Sequence, residues 1–424
     1  MMRAQAMSVM PSEVPIFDKG TRLPPTWFPE ARFVILCART TVSEAVGRRI
    51  REAAQQPMDW PFVLDLARYH GVGPLVSRTI GTVCDDLVPQ ASLGALRRST
   101  LVGTLLNRVL AQELVRLCRA FNESGVPVVS FKGVTLGIMA YEDRNLRDFD
   151  DLDFIVPQSR LSDARDVLLS QGYRPLNPSQ DECQVSDFDQ PYHLFLGEKS
   201  RILVDLQWVM AHQHFSFRLD RADVWDRRIR VPIDGQQVET LAPEELLNIL
   251  CVHGSKHAWE RLKWIVDVAE LVRAKRLDWA RVFATAEKWN CRRMLLLGLS
   301  LAHRVMSISL PSEIVSAVSS EFEIPELAER MPKSLLAQTQ HGIDEHDGAA
   351  LYFTLKDDWW DRWRYGLALC HADHPVVARP PSWFRWKPHL RRLNRAIRFL
   401  RAVICTCMPL PAVRRAIGRW IQAD

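Results

Sequence analysis

Apolar positions recur at helical spacing from about residue 30 to 125, and then the period changes. "TVSEAVGRRIREAAQ" opens with Thr and Ser ahead of a glutamate, and "STLVGTLLNRVLAQELVRLCRAFNESG" runs to Gly125, where a glycine stop is expected. At Val126 the pattern contracts to "VPVVSFKG", a short β-branched run that suits a strand. "VTLGIMAYED" returns to helical spacing, and "LDFIVP" is again short, apolar and stopped by Pro157. "SRLSDARDVLLSQGY" places Leu161, Ala164, Val167 and Leu168 on one helical face, with a serine cap candidate in front and Gly172 at its end. Two more strands, "YHLFLGE" and "RILVDLQWV", are joined by a polar turn containing Gly197, and Asp234-Gly235 in "RIRVPIDGQQVETL" is a strong hairpin signal. From "APEELLNILC" onward the spacing is helical, with Pro243 near the first position and Glu244 and Glu245 in the first turn.

This order predicts an α+β fold, a small mixed β-sheet with flanking helices set between mainly helical N- and C-terminal regions. The boundaries are a flexible Pro-rich arm at 1–30, helices at 31–125, the α/β core at 126–240, helices at 241–375 and a basic amphipathic tail at 376–424. A chain of 424 residues, 47% hydrophobic and 25% charged, has enough apolar material for two or three packed units and excludes a disordered or fibrous protein. The net charge of +5, from 55 basic against 50 acidic residues, is too small an excess to imply nucleic acid by itself. Its distribution says more, because Arg379 to Arg419 contains no acid and interleaves Trp, Phe, Leu and Ile with arginine. Such a tail either docks on the body or contacts an anionic membrane surface, with nucleic acid the least favoured partner. Nine cysteines without a CxxC pair read as reduced thiols. Lacking a stretch of signal-peptide or membrane-spanning length, the chain is expected in the cytoplasm, peripheral to the membrane only if the tail takes the second of those courses.

The chemistry concentrates in "RNLRDFDDLDFIVP". In a strand Asp151 and Asp153 share one face while Leu152 and Phe154 take the other. Two carboxylates so placed repel unless a cation sits between them, and an oxygen-only set favours Mg²⁺ or Mn²⁺. In "ILVDLQW" Asp205 is a lone acid whose face is shared by Leu203 and Gln207; if the two strands are neighbours it completes a triad able to hold two divalent ions. Lys132-Gly133 closes one strand and opens a helix, where an ammonium and a backbone amide can meet a phosphate.

"FKGVTLGIMAYEDRNLRDFDDLDFIVP" resembles the nucleotidyltransferase core of the DNA polymerase beta superfamily, and within it the branch of uncharacterised nucleotidyltransferases. The resemblance rests on Lys132-Gly133, Tyr141, Arg147, Asp151-Leu152-Asp153 and Asp205-Leu206-Gln207-Trp208, and extends through "HGSKHAWERLKWIVDVAEL", roughly residues 100 to 275. It implies transfer of a nucleoside monophosphate from an NTP to an acceptor hydroxyl of unknown identity, with release of pyrophosphate. On that reading Asp151, Asp153 and Asp205 are the catalytic metal ligands for Mg²⁺ or Mn²⁺, and Lys132, Gly133 and Arg147 bind the nucleotide. Arg147 has an equal alternative as a brace on Asp148 or Asp150. The superfamily's Gly-Ser turn is replaced by Lys-Gly with Thr135 nearby, and Gln207 stands where the branch often has His, so a nucleotide-binding or scaffold protein without turnover is the alternative.

Other candidates carry weaker signals. His253 and His257 have metal-ligand spacing without the acid of a protease motif, and read as helix-surface or interdomain packing residues that could line the cleft opposite the carboxylates. Lys256, Arg261 and Lys263 could meet a triphosphate or form a solvated face. His193 either faces the site or is a satisfied half-buried residue, the second slightly favoured, and strand parity is left open.

Overall fold

A computed structural model describes residues 28–176, 192–208, 221–321, 323–337 and 351–362; the N-terminal arm up to residue 27 and the basic tail lie outside them. Five helices come first: α1 (Pro29–Cys37), α2 (Glu44–Ala54), α3 (Trp60–Tyr69), α4 (Gly73–Val83) and α5 (Gln90–Glu123). The Ser43 hydroxyl accepts from the Val46 amide to cap α2, and Asp59 caps α3 through the Phe62 amide. α5 stops where Gly125 takes φ +63°, a left-handed conformation that favours glycine.

The chain then alternates: β1 (Val129–Ser130), α6 (Gly133–Tyr141), β2 (Asp151–Ile155), α7 (Leu161–Ser170), β3 (Tyr173–Pro175), β4 (Tyr192–Gly197) and β5 (Leu203–Gln207). The five strands form one mixed sheet in the order β1-β2-β5-β4-β3, with β2 and β5 parallel and the other pairs antiparallel. Two local expectations change. α7 has no serine cap, because a 3₁₀ turn over Gln158–Arg160 leads into it and Arg160 stands at the cap position without a side-chain bond. The strand β3, too short to show alternation, follows Gly172 directly.

α8 (Arg221–Asp226) precedes the hairpin of β6 (Arg228–Ile233) and β7 (Gln236–Leu241), which forms its own two-stranded sheet. Asp234 and Gly235 both have positive φ, as a two-residue turn matching the strand twist requires. The Asp234 carboxylate also meets the Arg144 guanidinium at 2.8 Å, tying the hairpin tip to the segment before β2.

The helices α9 (Pro243–Lys256), α10 (Leu262–Ala274), α11 (Trp279–Lys288), α12 (Arg292–Met306), α13 (Ser312–Ser320) and α14 (Ile324–Ala337) follow, with short helical turns at 351–354 and 359–362 among the described residues. α9, α10 and α12 pack on one another around the fully buried Trp259. Gly254 and Gly298 permit this: a Cβ at those positions would lie 2.5 Å and 3.0 Å from the indole ring. No described helix is long and apolar enough to cross a membrane.

Alternation in β2 and β5 decides what the sheet offers to each side. Leu152, Phe154, Val204 and Leu206 are buried, with Phe154 edge-on to Phe121 of α5 at 5.5 Å. The other face carries Asp151, Asp153, Asp205 and Gln207 towards α6 and the C-terminal helices. That side is fastened by a buried polar knot. Arg147, in the approach to β2, donates from Nε and Nη2 to the two oxygens of Asp267 on α10 at 2.8 and 2.9 Å, and the Tyr141 hydroxyl at the end of α6 donates to Asp267 at 2.6 Å. Burial opposes the charge on Arg147, but the attraction of Asp267 outweighs it and raises its pKa.

Removing one partner strands the other charge in a dry interior, which costs about 3–5 kcal/mol. Urea unfolding of Asp267→Ala and of Arg147→Ala should each show a loss of that size at pH 7. A loss under about 1 kcal/mol would mean that the pair does not lock α10 to the sheet.

Candidate active site

The parallel register of β2 and β5 puts Asp153 directly beside Asp205, with Asp151 one pleat earlier on the same face. The acids are 52 positions apart in sequence but adjacent in the sheet. Asp153 is 4% exposed, and the Lys132 ammonium, arriving from the end of β1, contacts its Oδ1 at 2.5 Å. The Gln207 amide, one pleat beyond Asp205, donates from Nε2 to Asp205 Oδ2 at 2.6 Å and reaches Asp153 Oδ1 at 3.4 Å. Among the described residues, Asp205 Oδ1 is buried without a hydrogen-bond partner.

The electrostatics follow from this crowding. Repulsion from Asp153, then burial, pushes Asp151 up to about 6, and burial, then repulsion from Asp153, pushes Asp205 up to about 7. For Lys132, burial works against the charge, yet attraction to Asp153, Asp151 and Asp205 wins and raises its pKa. Gly133 follows with φ +50°, and a Cβ there would stand 3.6 Å from the Asp151 carbonyl and 3.7 Å from the Phe149 ring. The Thr135 hydroxyl donates to the Lys132 carbonyl at 2.8 Å, so it braces the turn.

The opposite wall comes from the end of α9 and the start of α10. Lys256 senses Lys132, Asp205 and Asp153, while Lys263 senses Arg147, Asp267, Asp150 and Asp151; burial, ahead of their cationic neighbours, lowers both lysines. His253 lies close enough to Lys132 for the ammonium to depress it, although burial is the larger cause. Burial and Lys256 together lower His257 to about 3. Both imidazoles are therefore neutral near pH 7 and pack with Trp264, the His257 ring stacking on it at 5.0 Å.

Of the residues expected from sequence, Asp151, Asp153, Asp205, Lys132 and Gly133 come together. Arg147 does not join them as a phosphate ligand and does not pair with Asp148 or Asp150: its fork is spent on Asp267. Arg261 also leaves the site, lying over the Tyr69 ring at 4.0 Å and bonding the Tyr69 carbonyl. His193 pairs in register with Leu206, so it belongs to the apolar face and meets Trp208 edge-on at 4.7 Å. Sequence reading missed Asp267, although an acid inside the apolar run "WIVDVAEL" of a helix is a signal for a buried ionic partner.

Three carboxylates, two of them raised by burial and by repulsion from Asp153 and one with an unpartnered oxygen, are a donor set that fits a hard divalent cation. Among the described residues, however, no three His, Cys, Asp or Glu side chains already stand as a metal-holding group. Lys132 and Gln207 occupy the oxygens between the acids.

The family model of the uncharacterised nucleotidyltransferases matches residues 56–307, more than half the chain, and the chain belongs to that family. Membership makes it a nucleotidyltransferase acting on an NTP and an acceptor. No curated protein sequence matches the chain. Among solved structures, a crystal structure of ANT(2″)-Ia in complex with adenylyl-2″-tobramycin is similar at 16% identity, covering 43% of this chain and 97% of that one with a TM-score of 0.32. A solution structure of the same factor is 14% identical over 44% of this chain and 92% of that one, TM-score 0.32. An antigenic nucleotidyltransferase-like protein from Paracoccidioides brasiliensis is 15% identical over 50% of this chain and 92% of that one, TM-score 0.34.

The raised carboxylates carry a pH signature. A group whose pKa is higher in the folded than in the unfolded chain stabilises at low pH, and that stability is lost as pH rises through the folded value. For Asp205 the window runs from about pH 4 to about pH 7. In chelator-treated buffer, Asp205→Asn should therefore gain stability over wild type progressively across that window and be the more stable protein at pH 8. The difference isolates Asp205 from His253 and His257, whose depressed values act in the opposite sense. Denaturant midpoints across pH test this, and an Asn variant less stable than wild type at pH 8 would refute the raised Asp205 value.

Proposed function

We propose that the chain transfers a nucleoside monophosphate from an NTP to an acceptor hydroxyl, releasing pyrophosphate, with Asp151, Asp153 and Asp205 as its catalytic carboxylates. What supports this most is the register pairing of Asp153 with Asp205 on the face that also bears Asp151. These three residues would hold Mg²⁺ or Mn²⁺, which, when bound, supplies charge for the phosphate oxygens and acidifies a nearby hydroxyl.

The chain's own groups have distinct parts. The acceptor oxygen forms a bond to the α-phosphorus while the bond to the pyrophosphate oxygen breaks, and the hydroxyl proton goes to Asp205. The unpartnered Oδ1 suits Asp205 to that role. Lys132 supplies positive charge beside Asp153, and with the Gly133 amide lies where phosphate oxygens can be met. Lys256 and Lys263 add positive charge from the facing wall. Arg147 serves by holding the approach to β2 through Asp267.

One observation favours a second reading, a nucleotide-binding protein without turnover: Gln207 and Lys132 already satisfy oxygens between the acids. The experiment that separates the two is a screen of each NTP with Mg²⁺ and pooled acceptors for pyrophosphate release. The first reading expects release that Asp151→Asn and Asp153→Asn each abolish, and that Gln207→Ala lowers about 10–100-fold as an outer partner of the acids. Nucleotide binding without release, or activity surviving Asp151→Asn, would count against it.

A further inference from the structure

The turn between α3 and α4 is fitted to the start of α10 residue by residue. The Tyr69 carbonyl and ring take the Arg261 guanidinium, His70 Nδ1 accepts from the Leu262 amide at 3.3 Å, and the His70 carbonyl accepts from the Lys263 amide at 3.1 Å. The first amides of a helix have no partner within it, and Arg261 at the cap position offers none from its side chain. His70 therefore caps α10 from another element. The arrangement has a cost. Burial, then Arg261, lowers the His70 pKa to about 4 and keeps the ring neutral; with Nδ1 accepting, the proton lies on Nε2, which is buried without a partner among the described residues.

What this cap holds is Lys263, and three observations separate that lysine from a stabilising role. First, it is the second residue of α10, where the helix dipole opposes a cation, whereas Lys256 ends α9, where the dipole favours one. Second, its stem crosses Gly71, at which a Cβ would lie 2.6 Å from Lys263 Cδ. The φ of +64° at Gly71 would by itself admit asparagine, so the closeness of the stem is a separate demand for glycine. Third, the half-buried Lys263 ammonium has no hydrogen bond or ion pair among the described residues, although Asp148, Asp150 and Asp151 are within electrostatic range. A cation held by its stem and left without a direct partner is a receptor for an anion. The same turn also reaches the approach to β2, since a Cβ at Gly73 would stand 3.7 Å from Asp148 Oδ2.

The side of the site selects the anion. Lys263 acts on Asp151 at the start of β2, whereas Lys256 is the lysine of the facing wall that senses Asp205 and Asp153. In-line transfer sets the leaving group opposite the attacking oxygen. With the acceptor at Asp205, the pyrophosphate departs on the Asp151 side, towards Lys263. We infer that the α3–α4 turn belongs to the active site, with His70 and Gly71 as positioning residues that hold Lys263 as a ligand of the pyrophosphate leaving group. The identity of the anion rests on the nucleotidyl-transfer reading; the fit of the turn to Lys263 does not. The matched family region, 56–307, takes in this turn and α10 together.

Calorimetric titration of the full chain with inorganic pyrophosphate and Mg²⁺ tests the inference, with circular dichroism as the control for folding. Wild type is expected to bind, and Lys263→Ala to weaken binding about 10–100-fold, as loss of a charged hydrogen bond does. Gly71→Ala should weaken it comparably by pushing the stem aside. Because Gly71 acts through Lys263, the double variant Gly71→Ala/Lys263→Ala should bind no more weakly than Lys263→Ala, a non-additivity that general destabilisation does not produce. His70→Leu should weaken binding, and His70→Asn, which keeps an acceptor in the place of Nδ1, should restore it to within about threefold of wild type. A wild type that does not bind pyrophosphate overturns the inference, as does Lys263→Ala binding like wild type or full additivity of the Gly71 and Lys263 changes. His70→Asn no better than His70→Leu overturns the role of His70. Lys263-dependent binding in a chain that releases no pyrophosphate from any NTP supports the inference and overturns the transfer reading instead.

Discussion

A carboxylate as deeply placed as Asp153 needs a positive neighbour, and much of the architecture around it supplies one. The Lys132 ammonium arrives from the end of β1, which pairs with β2 on the side away from β5. Its approach depends on the left-handed turn at Gly133, which sends the chain into α6 under the same strand. Asp151 and Asp205 then stand on either side of a centre that is already partly neutralised. Without Lys132 the sheet would have to bury three like charges together. With it, the site tolerates their proximity while keeping two of them poised near neutrality.

A second ionic centre, Arg147 with Asp267 and Tyr141, performs a mechanical task. It joins the loop before β2, the end of α6 and the middle of α10. α10 carries Lys263, and α9, packed against it, carries His253 and Lys256. The distance between the acidic sheet and its basic wall is thus set by a buried bidentate pair, whose directionality leaves little freedom for sliding. Packing alone would hold the helices close without fixing their register against the strands.

Period changes along the chain made the α+β organisation legible, because buried strands and amphipathic helices place apolar residues at different intervals. The acidic pair was legible for the same reason: Asp151 and Asp153 are separated by Leu152, so strand alternation alone puts them on one face. The adjacency of Asp205 could be stated only as a condition, since strand order is a property of the whole sheet. Arg147 was misread because one arginine amid four aspartates looks locally satisfied, whereas its partner comes from a helix 120 positions later. The two-residue strand β1 and three-residue β3 are too short for any period to register. His193 was settled by parity, which only the register with Leu206 reveals.

The parallel pairing of β2 and β5 has a consequence for how such a site can vary. Parallel neighbours cannot be joined by a tight turn, so the chain must leave the sheet's edge and return in the same direction. Here the excursion includes α7, β3 and β4, none of which stands between β2 and β5. Lengthening or trimming it would alter the sequence interval between Asp153 and Asp205 without moving either carboxylate relative to the other. The interval between the acids is therefore an accident of the detour. What identifies each acid is its immediate apolar company, Leu152 with Phe154 for one and Val204 with Leu206 for the other.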